Sequence, residues 1–237
     1  MNRIDFHAHI LPGADHGSGS IDTSRRQLML MRDAGVSAVV ATPHFYPHRQ
    51  RAESFLRMRE QTVAELRQSL PEGAPLIYVG AEVLVCPGMH EMEGLDQLTV
   101  RGTNVLLLEM PTTAWNRALL DTVEEIREAG FHPVMAHIDR YPMEEVKKLL
   151  ARGLSVQLNA TAFSGLFGGK VYRQLIGTGS VVALGSDLHG SDPAGYQPFL
   201  KALKRLGAEA DEVFARTATL LQGAAALQEE MLVPQNT

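Results

Sequence analysis

Short runs of apolar, largely β-branched residues recur along the chain at 3–6, 37–41, 76–81, 105–108, 132–136, 155–158 and 181–184. Each has the pattern of a strand buried on both faces. Between most of them lie segments in which apolar residues return every three or four positions, at 23–34, 53–70, 116–129, 143–151 and 171–176. That spacing gives a helix one apolar face. Gly35, Gly130 and Gly153 stand just past three of the predicted helix ends, where a left-handed closing residue is favoured. Strand and helix alternate throughout, which predicts an α/β fold with a parallel sheet. Seven such units predict a single distorted (β/α)7 TIM-like barrel. Residues 83–104 carry no clean helical period, and from Leu220 onward the chain decays into a polar, Pro-containing stretch. One domain over 1–225 and a polar tail over 226–237 are therefore expected.

Composition narrows the function classes. A chain of 237 residues with 45% hydrophobic content can bury one sizeable core. A formal net charge of −5 provides no basic field for holding a nucleic-acid backbone over a broad surface, although a nuclease with a local pocket stays open. Cys86 is the only cysteine, so no intrachain disulfide can form, and a reducing, cytoplasmic setting is expected. The start, Met1-Asn-Arg-Ile-Asp-Phe-His, enters the first strand without the apolar stretch of a secretion signal. No later apolar run reaches about 18 residues, so membrane insertion is not expected.

The chemistry lies where the predicted strands end. His7 and His9 follow the first strand, His44 the second, Glu82 the third, Glu109 the fourth, His137 the fifth, and Asp187 and His189 the seventh. The carboxyl ends of barrel strands converge on one face, so residues far apart in sequence become neighbours there. With His16, they form a set of nitrogen and oxygen donors suited to borderline and hard divalent ions, with carboxylates able to bridge two of them. Six of the nine histidines fall in this set. Any one alone is more simply read as an ordinary core or surface side chain. Together they point to a metal centre, because buried acids are costly unless paired or metal-bound.

The segments Asp5-Phe-His-Ala-His9-Ile, Asp15-His-Gly17, Thr42-Pro-His44, Gly80-Ala-Glu82, Leu107-Leu-Glu109, Ala136-His-Ile-Asp-Arg-Tyr141, Leu166-Phe-Gly168 and Ser186-Asp-Leu-His189 run in order across almost the whole chain. With them the chain resembles the PHP (polymerase and histidinol phosphatase) superfamily. Within it, the chain looks most like the CpsB/YwqE type of bacterial manganese-dependent protein tyrosine phosphatase linked to capsular polysaccharide synthesis. The resemblance implies three divalent ions per chain, manganese foremost, with iron, zinc or cobalt as alternatives. One ion is implied on His7, His9, Glu82 and Asp187, a second on Glu82, Glu109 and His137, and a third on His16, His44 and His189. It also implies a phosphorylated protein, such as a tyrosine kinase tail, or a small phosphoester as substrate. The chain departs from the pattern twice. His16 stands where the tyrosine phosphatases usually have aspartate, and Gly190-Ser-Asp-Pro-Ala194 lacks the arginine they tend to carry there.

Clustered divalent ions acidify a shared water and bind phosphoryl oxygens, so hydroxide can attack phosphorus without a covalent intermediate. Arg140 would add a planar fork of donors for phosphate, with Glu109 and His44 beside it as the other catalytic candidates. A surface ion pair of Arg140 with Asp139 or Glu144 is the plainer alternative. The loop from Phe45 to Arg51 can recognise an aryl phosphate or simply open the next helix, and Trp115 can line the pocket or pack. Cys86 lacks the arginine six residues on that a cysteine phosphatase needs, since position 92 is methionine. Other readings are a histidinol-phosphate-like small-molecule phosphatase, a TatD-like nuclease or amidohydrolase, and a non-enzymatic metal-binding protein.

Overall fold

The fold was read from a computed structural model, which describes residues 2–163 and 169–229. The Leu166-Phe-Gly168 motif lies outside the described residues. All strand pairings are parallel, in two sheets. The first joins β1 (Ile4–Ala8), β2 (Ala38–Ala41) and β4 (Leu76–Val79) in that order. The second runs β3 (His44–Phe45), β5 (Glu82–Leu84), β6 (Val105–Glu109), β7 (His132–Met135), β8 (Ser155–Asn159) and β9 (Val181–Gly185).

The seven expected strand regions are therefore nine strands, because the second and third each break into two. At Pro43 the chain has no amide to donate to a ladder, and the matching break in its partner falls at Gly80 and Ala81. Backbone bonds from Gly80 N to Ala41 O (2.9 Å) and from Glu82 N to Pro43 O (3.0 Å) carry the pairing across the bend. The bend turns His44 and Glu82 into the second sheet, where they are directly paired.

Helices α1 (Ile21–Asp33), α2 (Ala52–Arg67), α3 (Arg117–Glu128), α4 (Met143–Leu150) and α5 (Gly169–Thr178) match the expected segments within a few residues. Local signals set their starts: Ser20 Oγ accepts from Thr23 N at 3.2 Å, and Asn116 Oδ1 accepts from Leu119 N at 3.0 Å. Past the end of β5 at Leu84, the stretch 83–104 holds only short 3-10 turns, at Met89–Glu91 and Leu95–Leu98, as the missing period implied. Two further helices, α6 (Pro193–Leu206) and α7 (Ala208–Leu220), follow β9. Asp192 caps α6 and Pro193 occupies its first turn, a favoured place for proline.

The expected division at residue 225 is crossed by packing. Ala226 and Leu227 are buried, Leu227 N donates to Ile77 O at 2.7 Å, and the Gln228 amide accepts from Ile77 N and donates to Pro75 O. The reason is that β4 is an edge strand with unpaired backbone groups, which residues 226–229 satisfy. Residues 230–237 lie outside the described residues.

Candidate metal centre

The carboxyl ends of the strands bring the expected residues to one place. His7 Nε2 lies 3.1 Å from His9 Nε2 and 3.1 Å from Glu82 Oε2. Asp187 Oδ1 is 3.3 Å from His9 Nε2 and 3.7 Å from His7 Nε2, which completes a first group. Beside it, Glu82 Oε1 is 2.7 Å from His137 Nε2, and Glu109 Oε1 is 3.6 Å from the same nitrogen. His44 Nδ1 adds to this second group at 2.9 Å from Glu82 Oε2 and 3.9 Å from Glu109 Oε2. Glu82 is thus common to both.

The third group differs in one member from the set implied by resemblance. Ligand-capable atoms of His9, His44 and His189 lie within 4.8 Å of one another. His16 is exposed and joins them through its ring, 4.9 Å from that of His44 and 4.5 Å from that of His189, centroid to centroid.

Several of these atoms face one another without hydrogen bonds. Glu82 Oε2, His44 Nδ1, Asp187 Oδ1 and His189 Nε2 are buried and have no hydrogen-bond partner. The Glu82–His44 contact is close, yet its geometry is not that of a hydrogen bond. Buried polar atoms left in this state are costly, and a cation among them removes the cost. The donor set, imidazole nitrogens with carboxylate oxygens, fits divalent ions of the manganese, iron, cobalt and zinc group.

Neighbouring side chains aim the imidazoles. His9 Nδ1 is 2.6 Å from Asp15 Oδ2, and His7 Nδ1 is 3.3 Å from Gln157 Oε1. Both oxygens accept, so the proton sits on Nδ1 and the Nε2 lone pair faces the centre, as in metal sites generally. Gln157 Oε1 also accepts from His137 N at 2.7 Å, and Asn159 Nδ2 donates to Asp187 Oδ2 at 3.0 Å. The sequence reading missed Gln157 and Asn159. Their signal was two polar residues at alternate positions near the end of the one predicted strand that offered no ligand.

Backbone strain concentrates in the same place. His137 (φ 31°) and Asp187 (φ 53°) are the only non-glycine residues with positive φ among the described residues. Such conformations cost free energy and persist where the surroundings enforce them. Gly17 and Gly185 back the first strand so closely that an added Cβ would stand 2.2 Å from His9 Cβ and 2.6 Å from His7 Cβ, respectively.

The electrostatics follow from burial and charge. Burial pushes the Glu82 carboxyl up, but His7, His137 and His44 outweigh it and hold it well below the usual carboxylate range. Burial lowers the basicity of His9, and the carboxylates of Asp15, Asp187 and Glu82 more than reverse this. Burial and the neighbouring His9 bring His189 down to about 4, so it is a neutral donor near pH 7.

Arg140 reaches the centre from the turn after His137, and its guanidinium pairs with Asp187 Oδ2 while about half of the side chain stays exposed. The expected partners Asp139 and Glu144 are engaged elsewhere, Asp139 with Asn159 N at 2.9 Å and Glu144 with Lys147 at 2.9 Å. In the loop after His44, Tyr46 stacks on His44 at 5.1 Å and Arg49 lies 4.8 Å over Tyr46. Residues 47–51 of that loop and the start of α2 line a cleft of about 740 Å³. Trp115 is buried, and its indole N–H donates to Pro111 O at 2.8 Å. Cys86 is half-buried, and burial raises its thiol pKa, the wrong direction for a nucleophile.

A family model described as capsular polysaccharide synthesis, CpsB/CapC, matches residues 3–217. The chain belongs to this family. Tyrosine-protein phosphatase CpsB of Streptococcus pneumoniae is 28% identical over 235 residues, covering 89% of this chain and 94% of that protein. Tyrosine-protein phosphatase YwqE of Bacillus subtilis strain 168 is 24% identical, covering 92% and 91%. Among solved structures, a chain from the work on B. subtilis YwqE and S. pneumoniae CpsB, described there as unique metal-dependent tyrosine phosphatases, superposes with a TM-score of 0.74 at 21% identity. It covers 94% of this chain and 95% of that one. The α/β fold with its parallel strands is shared with that structure.

Proposed function

We propose that the protein is a metal-dependent phosphomonoesterase, a protein tyrosine phosphatase of the kind that regulates capsular or exopolysaccharide synthesis. The supporting observation is the convergence of His7, His9, His44, Glu82, Glu109, His137, Asp187 and His189 on shared points, with buried lone pairs facing inward and Arg140 alongside. Three divalent ions, manganese foremost, fit the three groups: His7, His9, Glu82 and Asp187; Glu82, Glu109 and His137; and His44 and His189 with His16 at the exposed edge. Bound there, such ions supply Lewis acidity toward phosphoryl oxygens and lower the pKa of water toward neutrality.

The chain's own residues do the rest. Arg140 presents a guanidinium fork to the non-bridging oxygens of the phosphate. Glu109 and His44 lie nearer the mouth than His7 and Glu82, with 17% and 8% side-chain exposure against none, so they can meet the phosphoryl group. Gln157, Asn159 and Asp15 hold the donors in register. We further infer that residues 1–225 act as one catalytic unit and that the strands close into the seven-unit barrel through β1 and β9. Asp187 N donates to His7 O at 2.8 Å, and His9 N to Leu188 O at 3.2 Å. No helix among the described residues is long and apolar enough to cross a membrane, and a cytoplasmic phosphoprotein, such as a kinase tail, is the proposed partner.

The test is hydrolysis of p-nitrophenyl phosphate and of a tyrosine-phosphorylated peptide with manganese, iron, cobalt or zinc, beside elemental analysis of the purified protein. Turnover with none of the four ions overturns the reading. A second reading, a small-molecule phosphatase, draws on the missing arginine between Gly190 and Ala194. It is favoured if histidinol phosphate is turned over and the phosphopeptide is not.

A further inference from the structure

A cavity of about 210 Å³ opens beside the metal centre, walled by Pro111, Trp115, Arg140, Tyr141 and Pro142. It is joined to the centre through two residues. Arg140 pairs with Asp187 and lines the cavity as well. The Tyr141 ring sits 5.6 Å from that of His137 on one side and 5.0 Å from that of Trp115 on the other, centroid to centroid, the second contact edge-on.

The polar handles of both aromatic walls are already spent. Tyr141 Oη donates to Met110 O at 3.1 Å and accepts from Met110 N at 3.0 Å, while the Trp115 N–H is given to Pro111 O. The carboxylate on the wall, Glu145, is paired with Lys148 at 2.7 Å. The inner wall is then ring and proline carbon beside Arg140, with Thr112, Thr113 and Ala114 at the exposed rim, a lining that suits a flat apolar group tethered to an anion.

We propose that this cavity receives the aromatic ring of an aryl phosphate whose phosphoryl group is held at the metal centre by Arg140, and that it is the source of preference for aryl over alkyl phosphates. The proposal presupposes the phosphomonoesterase activity argued above. It places substrate selection in the segment after β6, with Trp115 as a specificity determinant.

Trp115 is the only tryptophan in the chain, so its emission reports on the cavity directly. Phenylphosphonate and methylphosphonate, neither hydrolysable, are titrated into the manganese-loaded protein, with fluorescence and competitive inhibition read in parallel. Phenylphosphonate is expected to shift Trp115 emission saturably and to inhibit about tenfold more tightly than methylphosphonate, the order of effect that burying one ring supports. Trp115→Leu should raise KM for an aryl phosphate and leave KM for an alkyl phosphate unchanged. Thr113→Phe, an exposed substitution on the cavity wall that spares the packing of Trp115, should do the same by filling the space. Equal inhibition by the two phosphonates with unchanged emission, in a protein that hydrolyses phosphomonoesters, overturns the cavity and leaves the enzyme reading intact. Absence of both hydrolysis and phosphonate binding overturns both.

Discussion

Strand β7 has a histidine at its start and another just past its end, and the two are treated oppositely. His132, at the amino end, is half-buried and has its ring nitrogen 3.0 Å from Ser155 Oγ. His137, at the carboxyl end, is buried, sits at φ 31°, and leaves Nδ1 without a partner. The contrast extends to the whole molecule. At the amino ends, polar groups are tied off: Arg3 donates to Ala34 O at 2.9 Å, and Asn104 donates to Gly130 O at 2.9 Å. At the carboxyl ends, carboxylates and imidazoles crowd together and the strained residues collect. One end of the strands serves stability, and the other gives up stability to hold a reactive constellation.

The contrast is broken most severely at Glu82, which touches His7, His9, His44 and His137. Glu82→Gln keeps the volume and removes the charge shared by two groups. Phosphatase activity is expected to fall by about three orders of magnitude or more, with metal loss. Manganese is expected to raise the melting temperature of the native protein, and this rise should vanish in the variant. A variant that retains both its metal by elemental analysis and its thermal response removes Glu82 from the centre.

Arg140→Ala comes next. Losing one donor to a developing phosphoryl charge costs about 10²–10³ in turnover, while metal content should stay at the native level. Unchanged kinetics would take Arg140 out of the mechanism.

Much of the clustering was legible in the sequence because nearly every candidate ligand follows an apolar strand run, and parallel strands place their carboxyl ends together. The strand kinks were not legible, because Thr42-Pro43 and Gly80-Ala81 read as strand ends or interiors until their pairing across the bend is known. Gln157 and Asn159 look like ordinary strand residues, and only the fold brings them against His7 and Asp187. His9 lies with His44 and His189, and His16 meets them from the exposed side, where Asp15 bonds back to His9 Nδ1 and Gly17 N. The packing of residues 226–229 was invisible for a similar reason: the need it meets lies on β4, some 150 residues earlier.

Gly185→Ala probes how tightly the fold backs the centre. Its new methyl would meet His7 Cβ at 2.6 Å and Gln157 Nε2 at 2.7 Å, and neither can retreat within a buried sheet. Overpacking of this kind costs about 1–3 kcal/mol, and displacing His7 and its orienting amide should weaken metal binding roughly 10–100-fold. Denaturant unfolding of the metal-free protein and a metal titration read the two effects separately. Native affinity in the variant would mean that the centre tolerates a shifted first strand.

The smallest expected effect tests the other end of the strands. Burial lowers the pKa of His132 below its ordinary 6.5, so between the folded value and 6.5 the unfolded chain binds more protons than the folded one. Stability contributed by this group is therefore complete above 6.5 and is lost as pH falls through that window. His132→Gln cannot titrate, and it should show a shallower loss of unfolding free energy than the native protein between about pH 7.5 and about pH 5. All other groups are common to both proteins, so their contributions cancel in the difference. Identical slopes would mean that His132 exchanges no protons on unfolding in this range and that the amino end of β7 adds nothing to the pH response.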